Sequence, residues 1–394
     1  MAKQRRGRHE GGLYKRKSDG LWVGNVSLGF DAEGRRIRKT VYAKSKTEVK
    51  EKMQQLQQDA LNGLPVKAES LTVDQHFQDW FRVKAGDVKE TTLANYKNVY
   101  NANIKPHLGH VKVKSLDYRR INALFEQLQE KGLTRTISMV SFLLRSALED
   151  ATRKGLVPAN QAKLSASRRQ KEKEARYMNQ EEIKKFFEAA KGERLENALI
   201  LAVNTGLRPG EWCGLPWSAV DWKNKKVSVS QALIESEGKV WIDDVKTEAG
   251  RRIISLSETA MAALRQQKKR QLEEEMAHRG KVKEAAEKGK ELPPWENKQN
   301  LVFTNENGGL LYRSSALKRL FNRVNKKAGL EGVTPHTLRH THASILIFQG
   351  VDPKTICARL GHTDVAFTLQ VYGHLFPGKD ESAAEELDVF FKNL

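Results

Sequence analysis
Tyr372, in Val371-Tyr372-Gly373-His374-Leu375, lies ten residues after the histidine of Leu360-Gly361-His362-Thr363-Asp364. Just upstream is His336-Thr337-Leu338-Arg339-His340, and much earlier Thr205-Gly206-Leu207-Arg208-Pro209-Gly210-Glu211. Together they supply two guanidinium groups, two imidazoles and a late phenol, the set needed to attack a DNA phosphodiester with a phenol. The diester is negatively charged and gains charge in the transition state, so an enzyme acting without a metal must fix cations around it. Arg208 and Arg339 offer planar forks that keep their protons. His336 and His362 can donate hydrogen bonds or exchange protons near neutral pH. A free phenol, with a pKa of about 10, is only roughly 0.1% ionised at pH 7, so Tyr372 needs cationic neighbours or a base to act as nucleophile. Lys246 is a good proton donor for the leaving 5′-oxygen, at a turn between two expected strands. Glu211, three residues after Arg208, can orient its guanidinium.

Each residue alone has an ordinary explanation. A histidine after Pro335 can simply start a helix, and a late tyrosine is usually a half-buried amphipathic ring. Order and spacing carry the reading. His336 and Arg339, three apart, share one helical face, and one short helix separates His362 from Tyr372.

These groups must be held by folded units. The 394 residues suffice for two or three domains. A hydrophobic share of 39% with 30% charged residues suits a globular chain with real cores. No run approaches the roughly 18 apolar residues of a membrane span, and the start, Met1-Ala2-Lys3-Gln4-Arg5-Arg6, lacks a signal peptide's apolar stretch. Cys213 and Cys357 are too few for a disulfide framework, so a reduced, cytoplasmic protein is expected. The net charge of +21 favours a polyanion such as DNA or RNA. Residues 1–64 hold 15 Lys and Arg against 7 Asp and Glu.

A multidomain α+β fold is expected. Residues 1–64 read as a small three-stranded sheet plus a helix. Leu21–Leu28 and Arg36–Tyr42 are β-type, joined by a turn at Asp31-Ala32-Glu33-Gly34. Ser45-Lys46-Thr47-Glu48 is a capping box opening a helix to about Asn62, stopped by Gly63 and Pro65. Residues 66–165 read as all-helical, with helices over Leu71–Phe81 and Thr91–Ile104. Ile121, Leu124, Phe125 and Leu128, then Ile137, Val140, Leu144, Leu148 and Ala151, form one-sided stripes. Residues 166–174 are a charged linker. Residues 175–394 form a mostly helical domain with a small antiparallel sheet. It has helices near 180–190 and 194–204 and strands over Lys226–Ile234, Lys239–Val245 and Arg251–Leu256. Residues 265–299 are read as an exposed Lys/Glu-rich helix ending at Pro293-Pro294. Ala383, Ala384, Leu387, Phe390 and Phe391 form an apolar helical face that docks on its own domain or on a neighbouring subunit.

The chain resembles the tyrosine recombinases, specifically phage-type integrases such as that of lambda and those of conjugative transposons. In that family Thr-Gly-x-Arg-x-x-Glu carries the first catalytic arginine, here Arg208, with Glu211 beside it. The hairpin lysine matches Lys246 in Val245-Lys246-Thr247, followed by Arg251-Arg252-Ile253-Ile254-Ser255-Leu256. The His-x-x-Arg box matches His336 and Arg339, the Leu-Gly-His box His362, and the nucleophile Tyr372. Trp212 stands where the family usually has leucine, a change of packing. The resemblance implies an arm-type-site DNA-binding domain over 1–64, a core-binding domain over 66–165 and a catalytic domain over 175–394. It also implies site-specific integration or excision of a phage or mobile element through a 3′-phosphotyrosine and a Holliday junction. The implied partners are double-stranded DNA at core and arm sites, a homotetramer on DNA, a host DNA-bending protein and an excisionase. The implied location is bacterial and nucleoid-associated, with no membrane, metal or other cofactor. The rival readings are a type IB topoisomerase-like enzyme, a metal nuclease using His336 and His340, and a non-catalytic DNA-binding regulator.

Overall fold
The computed structural model describes residues 12–30, 35–61, 71–165, 175–245, 247–376 and 380–392. Two units emerge, residues 1–171 and 172–394, and their boundary falls within the charged stretch 166–174, which lies outside the described residues.

In the first unit, β1 (Leu13–Lys15), β2 (Trp22–Phe30) and β3 (Arg36–Ala43) form an antiparallel sheet in the order β1-β2-β3. The turn expected at residues 31–34 lies outside the described residues. Ser45 starts α1 (Lys46–Leu61) by accepting from the Glu48 backbone N–H at 3.1 Å. Val49 and Leu56 of α1 are buried with Val23, Val26 and Ala43 of the sheet, whereas Arg36 and Arg38 are exposed. The end of this helix expected near residues 62–65 lies outside the described residues.

The helical part comprises α2 (Val73–Lys84), α3 (Glu90–Val99), α4 (Lys105–Leu108), α5 (Tyr118–Glu130) and α6 (Thr134–Arg153). All residues of the two expected stripes are buried in one core with Phe77, Trp80 and Phe81. The helix expected over Thr91–Ile104 does not stop there, ahead of Pro106. A π-helical turn, Tyr100–Ile104, leads directly into α4, where the proline sits in the first turn and needs no N–H partner.

The second unit contains α7 (Gln180–Ala190), α8 (Glu196–Thr205) and the single turn α9 (Pro209–Cys213). Then come β4 (Val220–Asp221), β5 (Lys226–Val229), β6 (Gln231–Ser236), β7 (Lys239–Asp244) and β8 (Arg252–Ser255). The strand expected over Lys226–Ile234 is broken at Ser230. Its first half joins a sheet ordered β4-β5-β8 and its second half a separate β6-β7 hairpin. The remainder is helical: α10 (Glu258–Glu287), α11 (Arg313–Ala328), α12 (Pro335–Phe348), α13 (Pro353–Leu360), α14 (Val365–Tyr372) and α15 (Asp380–Lys392).

The charged helix α10 is not simply exposed. It buries Ala260, Met261, Ala263 and Leu264, and Gln267 and Gln271 donate to the carbonyls of Val302 and Leu301. Trp212 is fully buried, edge-on to Phe303 at 5.9 Å, so it acts in packing. Leu387, Phe390 and Phe391 of α15 are more than half exposed, as is Val389, so this face is not docked on its own unit; the side chain of Ala383 lies outside the described residues.

Candidate active site
Two glycines in left-handed conformation build the site. The apolar helix α8 stops at Gly206 (φ 67°), and α13 stops at Gly361 (φ 68°), the usual way of ending a helix. Neither position accepts a side chain. A Cβ on Gly206 would lie 2.5 Å from His342 Cδ2, and one on Gly361 2.8 Å from the Ala249 carbonyl oxygen. Each glycine offers its carbonyl to one arginine. Arg339 Nη1 donates to Gly206 O at 2.8 Å, and Arg208 Nη2 donates to Gly361 O at 3.0 Å. Motifs 133 and 153 residues apart in the chain are locked together in this way.

The spacing Arg-x-x-Glu now has a cause. Arg208 caps α9, Pro209 opens its first turn and Glu211 is the third helical residue. The Glu211 carboxylate accepts from the Arg208 backbone N–H at 2.8 Å and from its Nη1 at 2.9 Å. Burial pushes Glu211 up, but Arg252 and then Arg208 outweigh it and hold the carboxyl below its ordinary value. Arg252, which the sequence reading left without a role, is its second partner. Its side chain is 6% exposed and donates to both carboxylate oxygens, at 3.2 and 2.8 Å. It also donates to the carbonyls of Arg359 and Gly250. Arg251, just before β8, turns instead to an exposed pair with Asp244.

Thr334 caps α12 through a reciprocal pair with Thr337, and Pro335 opens the helix. His336, Arg339 and His340 then fall on one face. Arg339 is 5% exposed. Burial, then the like charge of Arg208, pushes it down to about 9, so it remains a cation at neutral pH. Its Nη2 is buried without a partner. Arg208 and Arg252 both pair with the Glu211 carboxylate, and Arg339 lies near it without an ion pair among the described residues, an excess of positive charge suited to an anion.

The histidines are held below their ordinary pKa. His336 is exposed, yet desolvation and then Arg339, Arg313 and Arg208 lower it. His362, with its Nδ1 2.8 Å from Thr368 Oγ1 and its ring edge-on to Phe367, is pushed down to about 3 by burial and then Arg339 and Arg208. His342, also missed from sequence, bridges two elements. Its Nδ1 lies 2.8 Å from the Val203 carbonyl and its Nε2 accepts from Arg359 Nε at 3.1 Å, which fixes its tautomer.

Tyr372, at the end of α14, is 2% exposed. Burial pushes its phenol up to about 12, and Arg339, close enough to oppose that rise, belongs to the same chain. Its hydroxyl lies 2.7 Å from His340 Nδ1. Arg208, Glu211, His336, Arg339, His362 and Tyr372 are therefore gathered in one place, while Lys246 lies outside the described residues. No trio of His, Cys, Asp or Glu able to hold a metal occurs among the described residues. No helix there is long and apolar enough to cross a membrane.

Residues 176–378 match the model of the phage integrase family, and residues 72–127 that of the phage integrase N-terminal SAM-like domain. The chain is 29% identical to a tyrosine recombinase XerC-like protein of Caldanaerobacter subterraneus, covering 93% of this chain and 95% of that protein. It is 25% identical to the ICEBs1 integrase of Bacillus subtilis, covering 95% and 98%. Its fold is similar to the Tn1549 transposon integrase in complex with a circular intermediate DNA (TM-score 0.64, 22% identity, 82% of this chain and 100% of that one). It is also similar to a lambda integrase tetramer bound to a Holliday junction (TM-score 0.57, 17% identity, 93% and 96%). The chain therefore belongs to the phage integrase family and is a tyrosine recombinase, an enzyme that cleaves and rejoins DNA.

Proposed function
We propose that this recombinase integrates or excises a phage or mobile element, with Tyr372 as its nucleophile. Tyr372 attacks the scissile phosphate, leaving a 3′-phosphotyrosine and a free 5′-hydroxyl, which then attacks the phosphotyrosine of a partner strand. Two rounds of exchange pass through a Holliday junction in a homotetramer. The ester conserves the bond energy, so ATP is not consumed. Arg208 and Arg339 hold the non-bridging oxygens, His336 and His362 donate to the phosphate, Lys246 protonates the leaving 5′-oxygen and Glu211 keeps Arg208 in place.

The open Nη2 of Arg339 carries this reading. A buried charged donor is unfavourable until an acceptor completes it, and a phosphate oxygen does so next to Arg208 and the phenol. The test is to incubate the protein with a nicked duplex taken from the DNA it protects in footprinting. The expected product is a detergent-stable adduct joining a 3′-phosphate to the Tyr372 peptide in mass spectrometry, formed equally in EDTA. Attachment through another residue or a 5′-phosphate, or loss in EDTA, ends the proposal.

We assign residues 1–64 to distal arm sites, 66–165 to the core site, 166–174 to the linker and 175–394 to catalysis. The exposed Arg36 and Arg38 on β3 and the basic excess of the N-terminal segment support the first. Deleting residues 1–64 is expected to abolish gel shifts of arm DNA and to leave core-site cleavage measurable; arm binding that survives the deletion contradicts the assignment. The open apolar face of α15 suits docking on a neighbouring subunit within the tetramer. A host DNA-bending protein and an excisionase complete the proposed assembly, which acts on the bacterial nucleoid in the cytoplasm.

A further inference from the structure
His340, which lies within hydrogen-bond distance of Tyr372, is not among the motif residues matched from the sequence. We propose that His340 accepts the phenol proton when Tyr372 attacks, making His340 the general base of strand cleavage in place of His336 or His362. The proposal rests on Tyr372 being the nucleophile.

Geometry separates the three imidazoles. His340 Nδ1 is 2.7 Å from the phenol oxygen, within direct proton-transfer reach, and the two rings pack at 5.7 Å. His362 Nδ1 is engaged by Thr368. His336 makes no hydrogen bond to the phenol among the described residues. The groups facing His340 are His336 and Arg339 from its own helix α12, Tyr372 from α14 and His362 from the turn after α13. Among the described residues none of these is a carboxylate, so none stabilises a resting imidazolium. Burial, then His336 and Arg339, holds His340 at about 4, so its Nδ1 is free to accept a hydrogen bond from the phenol.

The proton therefore rests on the phenol until phosphorus is attacked. As the Tyr372 oxygen bonds to phosphorus it becomes a far stronger acid, and its proton passes to Nδ1. The bond from phosphorus to the 5′-oxygen breaks with its electron pair, and that oxygen takes a proton from the cationic side of the site. In rejoining, the 5′-hydroxyl attacks phosphorus, gives its proton back to that donor, and His340 returns its own to the departing phenol oxygen.

Single-turnover adduct formation on the nicked duplex tests this. His340→Ala should bind the duplex with wild-type affinity and react about 10²–10⁴-fold more slowly, with added imidazole restoring much of the rate. His340→Gln, which keeps a hydrogen-bonding side chain without a base, should be equally slow, and it carries the comparison if the alanine variant does not fold. A duplex with sulfur at the bridging 5′ position has a leaving group that needs no proton, and on it the His340 variants should remain slow. Wild-type rates on that substrate would place His340 on the leaving-group side and overturn the proposal, as would wild-type rates for His340→Gln on normal DNA. An adduct formed by wild-type protein through a residue other than Tyr372 would instead reject the nucleophile assignment.

Discussion
Tyr372→Phe is expected to bind the protected duplex as tightly as the wild type and to form no covalent adduct. The substitution deletes one oxygen from a side chain that is 2% exposed and leaves the ring in its place against His340 of α12. Loss of the hydrogen bond to His340 should lower stability by only about 1 kcal/mol, because His340 is partly exposed and water can replace the partner. Gel shift and detergent-gel assays on the same samples check both halves. Adduct formed by the variant would show that another nucleophile acts; lost DNA affinity would show that the hydroxyl serves binding.

Arg339→Met is expected to abolish most activity and to raise stability. Removing one donor from a charge-stabilising site typically slows reaction about 10²–10³-fold, and Arg339 supplies both a buried cation and the open Nη2. The stability sign runs the other way. A base held at about 9 in the fold, well below its ordinary value, disfavours folding at every pH where it is charged. The penalty is fully present below pH 9 and is relieved progressively as pH rises above it. By linkage it is on the order of 5 kcal/mol, against roughly 1.5–3 kcal/mol for the lost hydrogen bond to Gly206. The net relief should raise the melting temperature of DNA-free protein by several degrees. Duplex DNA should then stabilise the wild type more than the variant. A fall in melting temperature would mean that the fold itself satisfies Arg339, removing the case that it waits for an anion.

Local patterns made much of the fold legible. The stripes from Ile121 and Ile137 are both buried, because a period near 3.6 directs those side chains to one side. The Ser45 cap starts α1 as expected, because that bond is local. Longer-range competition explains the misses. The strand over Lys226–Ile234 divides at Ser230, because β5 pairs with β8 while β6 pairs with β7, a choice that propensity within the segment does not contain. The polar composition of α10 hid that Gln267 and Gln271 turn inward to satisfy carbonyls more than 25 residues away.

The site divides the same way. Residue type and order alone singled out Arg208, Glu211, His336, Arg339, His362 and Tyr372, since phosphodiester chemistry needs fixed cations and an activated phenol. The sequence also contained the two helix-ending glycines, but not which arginine each carbonyl would meet. Arg252 beneath Glu211, His342 against Arg359, and His340 beside the phenol came from tertiary structure alone. Each owes its place to contacts across at least 17 residues of chain, and charge, burial and hydrogen bonding act through space, where separation along the sequence carries no weight.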